Sequence, residues 1–236
     1  MIYLRHYTRG VPRPLALCIC AAVLLSACGQ PSSYDPAGVL RDSGRAMAAA
    51  TTFTADASFG KGATSFGFGL DSAHAVYRRP ADSDATIKAR HGDAVVDFEL
   101  VVVGGHTYLR VPLIGWQEVT NPTELMALPD FGRLLDNRQG LPAVVPLGTS
   151  PVAMGHVTVD GHDCYQIRAT YTADQVAQVI TVLKPSGPVT ATLWIDSSSS
   201  LLRRIRITGA LYDSGQSSLD VHLRDFGAAV TIAKPV

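Results

Sequence analysis

A histidine and a cysteine two residues apart are the first candidates for chemistry in this sequence. His162 and Cys164 lie in an alternating segment that predicts a β-strand, and residues two apart share one face of a strand. A nucleophilic thiol needs a neighbouring base, and this spacing loosely permits such a pair. Asp160-Gly161, however, is typical of a plain hairpin turn, and a single cysteine on a strand is usually a small buried apolar residue. We therefore predict no catalytic role for Cys164.

Other catalytic and metal-binding patterns are weaker still. Ser58-Phe59-Gly60-Lys61 has the Ser-x-x-Lys spacing of acyl-serine enzymes, but those enzymes need it on a helix and here it ends a predicted strand. The acidic residues Asp97 and Glu99 share a strand face that reads as a solvated outer surface. The histidines are scattered, with no pair four residues apart: His74, His91, His106, His156, His162 and His222. We predict no catalytic residue, no metal site and no cofactor.

Cys28 is the cysteine for which the sequence predicts a covalent modification. It follows an arginine-containing start and an apolar run from Leu15 to Leu25, which is the order of an export signal. That run is shorter than the roughly 20 apolar residues of a transmembrane helix. Leu25-Ser26-Ala27-Cys28 resembles the lipobox of bacterial lipoproteins, in which the thiol takes a diacylglycerol and the cysteine becomes the N-acylated N-terminus. The alternative is an ordinary signal peptide with a chance cysteine.

The lipobox interpretation divides the chain into three parts. Residues 1–27 are a lipoprotein signal peptide, residues 28–34 a lipidated tether, and residues 35–236 a single domain. We expect the protein on the extracytoplasmic face of the cell membrane, held there by acylated Cys28. The short polar sequence after Cys28 suits a tether.

Charge and cysteine content exclude several classes of protein. The chain has 20 basic and 20 acidic residues; removing the three arginines of the signal leaves 17 basic residues and a net charge of −3. A weakly acidic domain has no electrostatic reason to bind nucleic acid. Cys18 and Cys20 leave with the signal, so only Cys164 stays as a free thiol. The mature chain therefore has no disulfide and no cysteine cluster for zinc.

Two helices have clear start signals. Asp35 and Pro36 suit the N-cap and the first position of a helix. The segment Thr172–Gln175 fits a capping box. Apolar residues then recur at helical spacing as far as Leu183, so the second helix is predicted to be amphipathic and to end before Pro185.

Most of the remaining chain predicts β-strands. Val95–Val103 alternates most clearly, and Gly104-Gly105 after it predicts a tight hairpin turn. About ten strands follow from such patterns, with Val230–Ala233 closing a sheet edge. The segment Asn121–Leu141 is irregular, with two short helices, and is our candidate gate. We predict an α+β fold, in which a large curved antiparallel sheet carries helices on its concave face.

Three apolar groups point toward the inside of this fold. One lies on the best strand, one in the irregular segment and one on the amphipathic helix. Their pattern is compatible with both an ordinary core and a cavity lining. Without other information, the pattern favours the core. The proposed lining is Phe98, Leu100, Val102, Leu125, Leu128, Phe131, Leu135, Val176, Val179, Ile180 and Leu183. Trp116 and Trp194 suit either a cavity rim or packing.

A family resemblance runs from the lipobox almost to the C-terminus. The segments that carry it are Val101–Tyr108, Gly115-Trp116, Asn121-Pro122, Val159–Gly161, Leu193–Asp196, Leu202–Arg204, Leu223–Gly227 and Ile232–Pro235. In this order and spacing, the chain resembles the mycobacterial LppX/LprG lipoprotein family. The resemblance implies a half-barrel sheet with helices on its concave face and an apolar cavity between them, a fold similar to that of the periplasmic lipoprotein carriers LolA and LolB.

The resemblance also implies a function. Members of that family bind acylated lipids or glycolipids and move them toward the outer envelope. We therefore expect a membrane-anchored carrier with lipid cargo, served by a lipid exporter or an acceptor envelope protein, and with no enzymatic activity. The alternative is a lipid-anchored protein-interaction module with a solid core and no cargo cavity.

Overall fold

A computed structural model describes residues 34–65, 67–111, 113–121, 123, 128, 131–212 and 215–236. The signal segment, Cys28 and Leu125 lie outside the described residues, as does most of the first short helix expected in the candidate gate. Ser32–Val236 form one compact unit. Because this unit holds its own hydrophobic core, it meets the physical condition for folding without the preceding residues.

Antiparallel strands dominate the described chain. They are β1 (Thr52–Phe59), β2 (Thr64–Ser65), β3 (Phe68–Arg78), β4 (Asp82–His91), β5 (Ala94–Val103), β6 (His106–Val111), β7 (Gly115–Glu118), β8 (Thr149–Val159), β9 (His162–Tyr171), β10 (Val189–Asp196), β11 (Leu202–Tyr212) and β12 (Gly215–Arg224). They form one 12-stranded sheet of order β7-β6-β5-β4-β3-β1-β12-β11-β10-β9-β8, with β2 beside β3. The sheet is open, since β7 and β8 are its two edges. The predicted α+β fold with a large antiparallel sheet is confirmed.

Helices cover one face of the sheet, which we call the inner face. In the described part of the chain they are α1 (Pro36–Ala49), α2 (Leu141–Val144) and α3 (Ala173–Val179), with 3₁₀ helices at Phe131–Leu135 and Val145–Leu147. Inner-face side chains face each other across neighbouring strands: Ala55 with Leu223 and Ala75, and Leu193 with Ile167 and Ile205. This alternation buries one apolar face of the central strands under the helices.

The predicted local signals are confirmed at both main helices. The Asp35 carboxylate accepts a hydrogen bond from the Ala37 N–H at 3.0 Å, with Pro36 in the first turn. The Thr172 hydroxyl and the Gln175 side chain form the reciprocal capping box of α3. Arg79 closes the other end of α1, because its guanidinium donates to the carbonyl oxygens of Ala50 and Ala48 at 2.6 and 3.1 Å.

The second helix is shorter than its sequence pattern predicts. α3 ends at Val179, and Ile180 already has extended backbone angles. The run Val179-Ile180-Thr181-Val182 is β-branched throughout, and such residues lose side-chain freedom in a helix. Leu183 is nevertheless buried. A turn instead of a helix, closed by the Leu183 N–H on the Ile180 carbonyl oxygen, places it in the core.

The C-terminal tail was also predicted wrongly. Residues 228–236 form no strand; they run along the outer face of the sheet. Ile232 packs there against Val101 and Tyr108, and the Arg78 guanidinium donates to the carbonyl oxygen of Ile232 at 3.4 Å. The tail therefore covers apolar side chains on the outer face, which no edge position would do.

Charged pairs line the rest of the outer face. Arg204 and Arg206 both bind the Asp220 carboxylate, and Arg224 binds Asp56 at 2.9 Å. Glu99 pairs with Arg110 at 2.6 Å, which agrees with the solvated outer surface predicted for this strand face. None of the described helices is long and apolar enough to cross a bilayer.

Candidate functional site

An apolar pocket lies between the middle of the sheet and the helix layer. We call it the first pocket, and it encloses about 510 Å³ of empty space, open solvent included. Its floor is the inner face of β1, β3 and β12, and its roof is the 3₁₀ helix of Phe131–Leu135 with the chain that leaves α3. The lining is Ala55, Ala57, Phe59, Ala73, Phe131, Leu134, Val179, Ile180, Thr181, Val182, Leu219 and Val221.

A second pocket adjoins the first under α3. It encloses about 500 Å³ on the same measure, and its floor continues along β12, β11, β10 and β9. The two pockets share Leu134, Val179, Ile180 and Val221. The rest of the second lining is Leu141, Val144, Val145, Tyr171, Gln175, Val176, Ala191, Ile205 and Ile207. The two pockets are therefore neighbours beneath α3, and we refer to the pair as the joined pocket.

Small side chains on the central strands create this space. Ala55 and Ala57 of β1 and Ala73 of β3 lie on the floor of the first pocket, and Ala191 lies on the floor of the second. Larger residues at these positions would fill the gap between sheet and helices. We did not predict these alanines as site residues. The signal was present as alternation in Phe53-Thr54-Ala55-Asp56-Ala57, but alanine reads as an ordinary core residue unless the roof above it is known.

The described lining residues include no charged side chain and few polar atoms. The Tyr171 hydroxyl donates to the Val145 carbonyl oxygen at 2.9 Å, and burial raises the pKa of Tyr171 well above its usual value. The Gln175 side chain is engaged in the capping box. Among the described residues, the buried hydroxyl of Thr181 has no hydrogen-bond partner. An unpaired buried hydroxyl is costly, so this oxygen is a ready partner for a polar group that enters the first pocket.

The predicted lining residues are distributed over three places. Phe131, Val176, Val179 and Ile180 line the joined pocket. Leu135 and Leu183 are buried in the main core around it, and Phe98 packs against that core beside Phe68, with ring centroids 5.1 Å apart.

The remaining described residues of the predicted lining lie toward the β7 edge. Leu100 and Leu128 belong to a separate small cluster with Ala75, Ala85 and Val119. Val102 is half-buried on the inner face opposite Ser83. A residue such as Leu100 is therefore packed beside the pocket region without lining it.

Neither tryptophan lies at the pocket. Trp194 is buried on the outer face, with the Arg204 guanidinium 4.8 Å from its ring centroid. Trp116 packs with Ile232 on the outer face near the β7 edge. Both therefore serve packing, which was one of the two roles that the sequence left open.

Cys164 is not arranged as a nucleophile. It is fully buried with Val159 and Trp194, and burial raises the pKa of its thiol to about 11. The ring of His162 meets Asp196 instead, with Nδ1 2.9 Å from the carboxylate oxygen. At neutral pH the thiol is protonated, and the base beside it is engaged elsewhere. Within the described residues, no three His, Cys, Asp or Glu side chains are placed to hold a metal ion.

A family model matches residues 34–232, which is most of the chain and all of the elements around the joined pocket. The chain belongs to the LppX_LprAFG lipoprotein family. The family resemblance read from the sequence is therefore confirmed.

Curated relatives carry names of lipid carriers. The chain is 24% identical over 144 residues to the lipoarabinomannan carrier protein LprG of Mycolicibacterium smegmatis, covering 61% of this chain and 58% of LprG. It is 30% identical over 109 residues to LprF of Mycobacterium bovis, which is provisionally named a diacylated glycolipid transporter, covering 45% and 42% of the two chains. The matches thus span about half the length of these relatives.

Solved structures show the same fold. LprF from Mycobacterium bovis superposes with a TM-score of 0.70 at 23% identity, over 87% of this chain and 99% of LprF. LppX from Mycobacterium tuberculosis gives a TM-score of 0.59 at 21% identity, over 85% and 100% of the two chains. The chain therefore shares its overall fold with these two proteins.

Proposed function

We propose that this protein is a lipid-anchored carrier that binds acylated lipids or glycolipids in the joined pocket and moves them toward the outer envelope. The single observation that carries the proposal is a pair of adjoining apolar pockets between the sheet and α3, whose described lining residues carry no charge. Family membership and the carrier names of LprG and LprF support it. Apolar pockets with a few polar groups are the usual form of a small-molecule site.

The helix layer acts as the movable wall of the site. Two pockets of this size, partly open, hold only part of a lipid with two long acyl chains, so α3 has to move away from the sheet during loading. α3 is suited to this movement because it has seven residues and ends at Val179 in an extended connection. Short helices depend on tertiary packing for their stability, and α3 packs over the pocket that receives the cargo.

Release of such cargo requires docking. A lipid with two chains has on the order of 30 methylene groups, each worth about 0.8 kcal/mol on burial, which gives an upper limit near 24 kcal/mol. Escape into water against that free energy is too slow to be useful. The carrier therefore exchanges lipid only in contact with a membrane, an exporter or an acceptor envelope protein.

Acylation of Cys28 supplies the membrane attachment in this proposal. Each buried methylene of the anchor contributes about 0.8 kcal/mol, so two or more acyl chains hold the protein permanently. The polar segment that precedes α1 keeps the domain near the extracytoplasmic face of the cell membrane. No catalytic step is part of this function, which agrees with the protonated and buried thiol of Cys164.

The decisive experiment is to identify what the purified domain contains. Residues 29–236, which lack Cys28, are produced in a mycobacterial host, extracted with organic solvent and analysed by mass spectrometry. We expect an acylated lipid in near-stoichiometric amount. A folded domain with a clean extract would contradict carriage and favour the protein-interaction module.

Hydrogen exchange gives an independent test of the same choice. In a carrier, the amides of α3 exchange faster than those of β9 and β10, because the helix opens over the pocket. A solid core would protect α3 as strongly as these strands.

A further inference from the structure

One end of the sheet combines the first pocket with exposed apolar side chains. β1 ends there at Phe59, which lines the first pocket, and β5 begins there at Ala94. β6 ends and β7 begins at the same end, since Val111 is paired with Gly115. We call this the pocket end of the sheet.

The turn between β6 and β7 is the most exposed apolar feature at this end. Leu113 is fully exposed, with a relative accessibility of 108%, and Ile114 is exposed to 67%. Val95, near the start of β5, is exposed to 56%. Single exposed apolar residues are common, but these three lie at the same end of the sheet on neighbouring strands and their turn. Across the sheet, Leu147 before β8 is half-exposed at the same end.

The backbone of this turn is unfavourable for its sequence. Leu113 has φ of 68°, in the left-handed region where glycine or asparagine is expected and a branched side chain is disfavoured. The Leu113 side chain is fully exposed, so burial within the described fold does not offset this conformation. A leucine with a positive φ angle and no buried contacts that offset the cost of that conformation points to a functional constraint at this position.

We propose that the turn at Leu113 and Ile114, with Val95 at the same end of the sheet, inserts into the surface of a lipid bilayer when the domain docks to exchange cargo. This inference rests on the proposed carrier function and adds the surface through which it acts. The tip projects two aliphatic side chains from a narrow turn, which suits shallow insertion among acyl chains. A stable protein partner requires a much broader interface.

The charges around the tip favour a zwitterionic surface over an anionic one. Arg90 pairs with Asp71 at 2.6 Å, and Arg110 pairs with Glu99 at the same distance. Because these basic groups are already neutralised, insertion relies on apolar contact. Phosphatidylcholine vesicles are therefore the appropriate probe.

The test uses residues 29–236, so that no acyl anchor contributes to binding. Flotation with phosphatidylcholine vesicles measures the bound fraction of the parent domain and of Leu113→Gly and Ile114→Ser. We expect each variant to lose about tenfold in partitioning, since each removes one aliphatic side chain from the bilayer. Leu113→Gly also relieves the positive φ, so its melting temperature stays equal or rises, and loss of fold cannot explain loss of binding.

Val157→Ser is the matched control. Val157 is exposed to 40% but lies near the end of β8 farthest from the pocket end, so its replacement leaves flotation unchanged. A dye on Ile114→Cys adds a direct readout, because Cys164 is buried and does not compete for the label. Its emission shifts to shorter wavelength with vesicles, whereas the same dye on Val157→Cys does not respond.

Two results overturn the proposal: flotation of Leu113→Gly and Ile114→Ser equal to that of the parent, or a dye at position 114 that stays in water. Cargo extraction from the same samples separates this failure from failure of the carrier function. Variants that keep their lipid but lose flotation support the docking surface. Variants that keep both lipid and flotation leave the carrier function intact and refute the docking surface.

Discussion

Val179 on α3 and Val221 on β12 line both apolar pockets, one from the helix layer and the other from the sheet. They mark the place where the two pockets meet. Any side chain that fills this junction separates the pockets and blocks the passage of an acyl chain. Val179 is therefore a position at which the pocket can be tested by a single substitution.

Val179→Trp is expected to abolish lipid binding by the domain. The indole fills the junction, so the amount of co-purified lipid falls at least tenfold while the far-UV spectrum stays native. Asp174→Trp, on the exposed side of the same helix, is the control and keeps the lipid. Unchanged lipid content in a folded Val179→Trp domain would contradict the assignment of the joined pocket.

Gly44→Ala is expected to destabilise the domain although alanine favours helices. A Cβ at position 44 would lie 2.4 Å from Cγ of Pro146 and 2.8 Å from the Pro142 carbonyl oxygen. Overpacking of this kind costs about 1–3 kcal/mol and outweighs a helix gain of about 1 kcal/mol. Chemical denaturation measures the difference, with Arg45→Ala on the exposed side as control. Stabilisation would show that α1 can shift away from Pro146.

Asp196→Asn is expected to lower the free energy of unfolding at neutral pH by about 3 kcal/mol, because it leaves Arg203 without its buried partner. Burial opposes ionisation of Asp196. Hydrogen bonds from the Ser198 hydroxyl, the Ser199 and Ser198 amides and Arg203 outweigh it and hold the pKa of Asp196 well below its usual value.

The same group gives a pH dependence of defined sign. Since folding lowers the pKa of Asp196, its stabilisation is fully present above about pH 5 and is lost as the pH falls through the unfolded-state pKa toward the folded-state pKa. The difference between parent and Asp196→Asn therefore shrinks on acidification. Asp42→Asn, at an exposed ion pair with Arg45, is the control and changes stability by less than about 0.5 kcal/mol. A constant difference from pH 7 to pH 2 would contradict the assignment.

Cys164 is expected to be chemically inert in the folded domain. In residues 29–236 a thiol-specific reagent at pH 8 labels it only after denaturation, since the side chain is buried and its pKa is raised to about 11. Cys164→Ser leaves lipid content unchanged and lowers stability by about 1–3 kcal/mol through a buried hydroxyl. Rapid labelling of the native protein would reopen a role for the thiol.

Local signals in the sequence determined the elements that frame the site. The hairpin of β5 and β6 follows from alternation and from Gly104-Gly105, whose φ angles of 57° and 82° only glycine adopts easily. The caps of α1 and α3 follow from single residues acting on neighbours within one turn. The inward orientation of Val176 and Val179 follows from helical spacing. Each of these rests on interactions between residues close in the chain.

The tertiary structure alone decided what the apolar residues line. Ala57 became a pocket floor, and Leu100 a member of a separate cluster, only when the sheet order placed β1 beside β12 and β5 near the opposite edge. The C-terminal tail lies on the outer face because Ile232 packs there against the apolar side chains of Val101 and Tyr108. A pocket and a core share the same apolar pattern, and they differ in the gap between layers that are distant in sequence. That gap depends on long-range packing, which the order of residues along one strand or helix does not record.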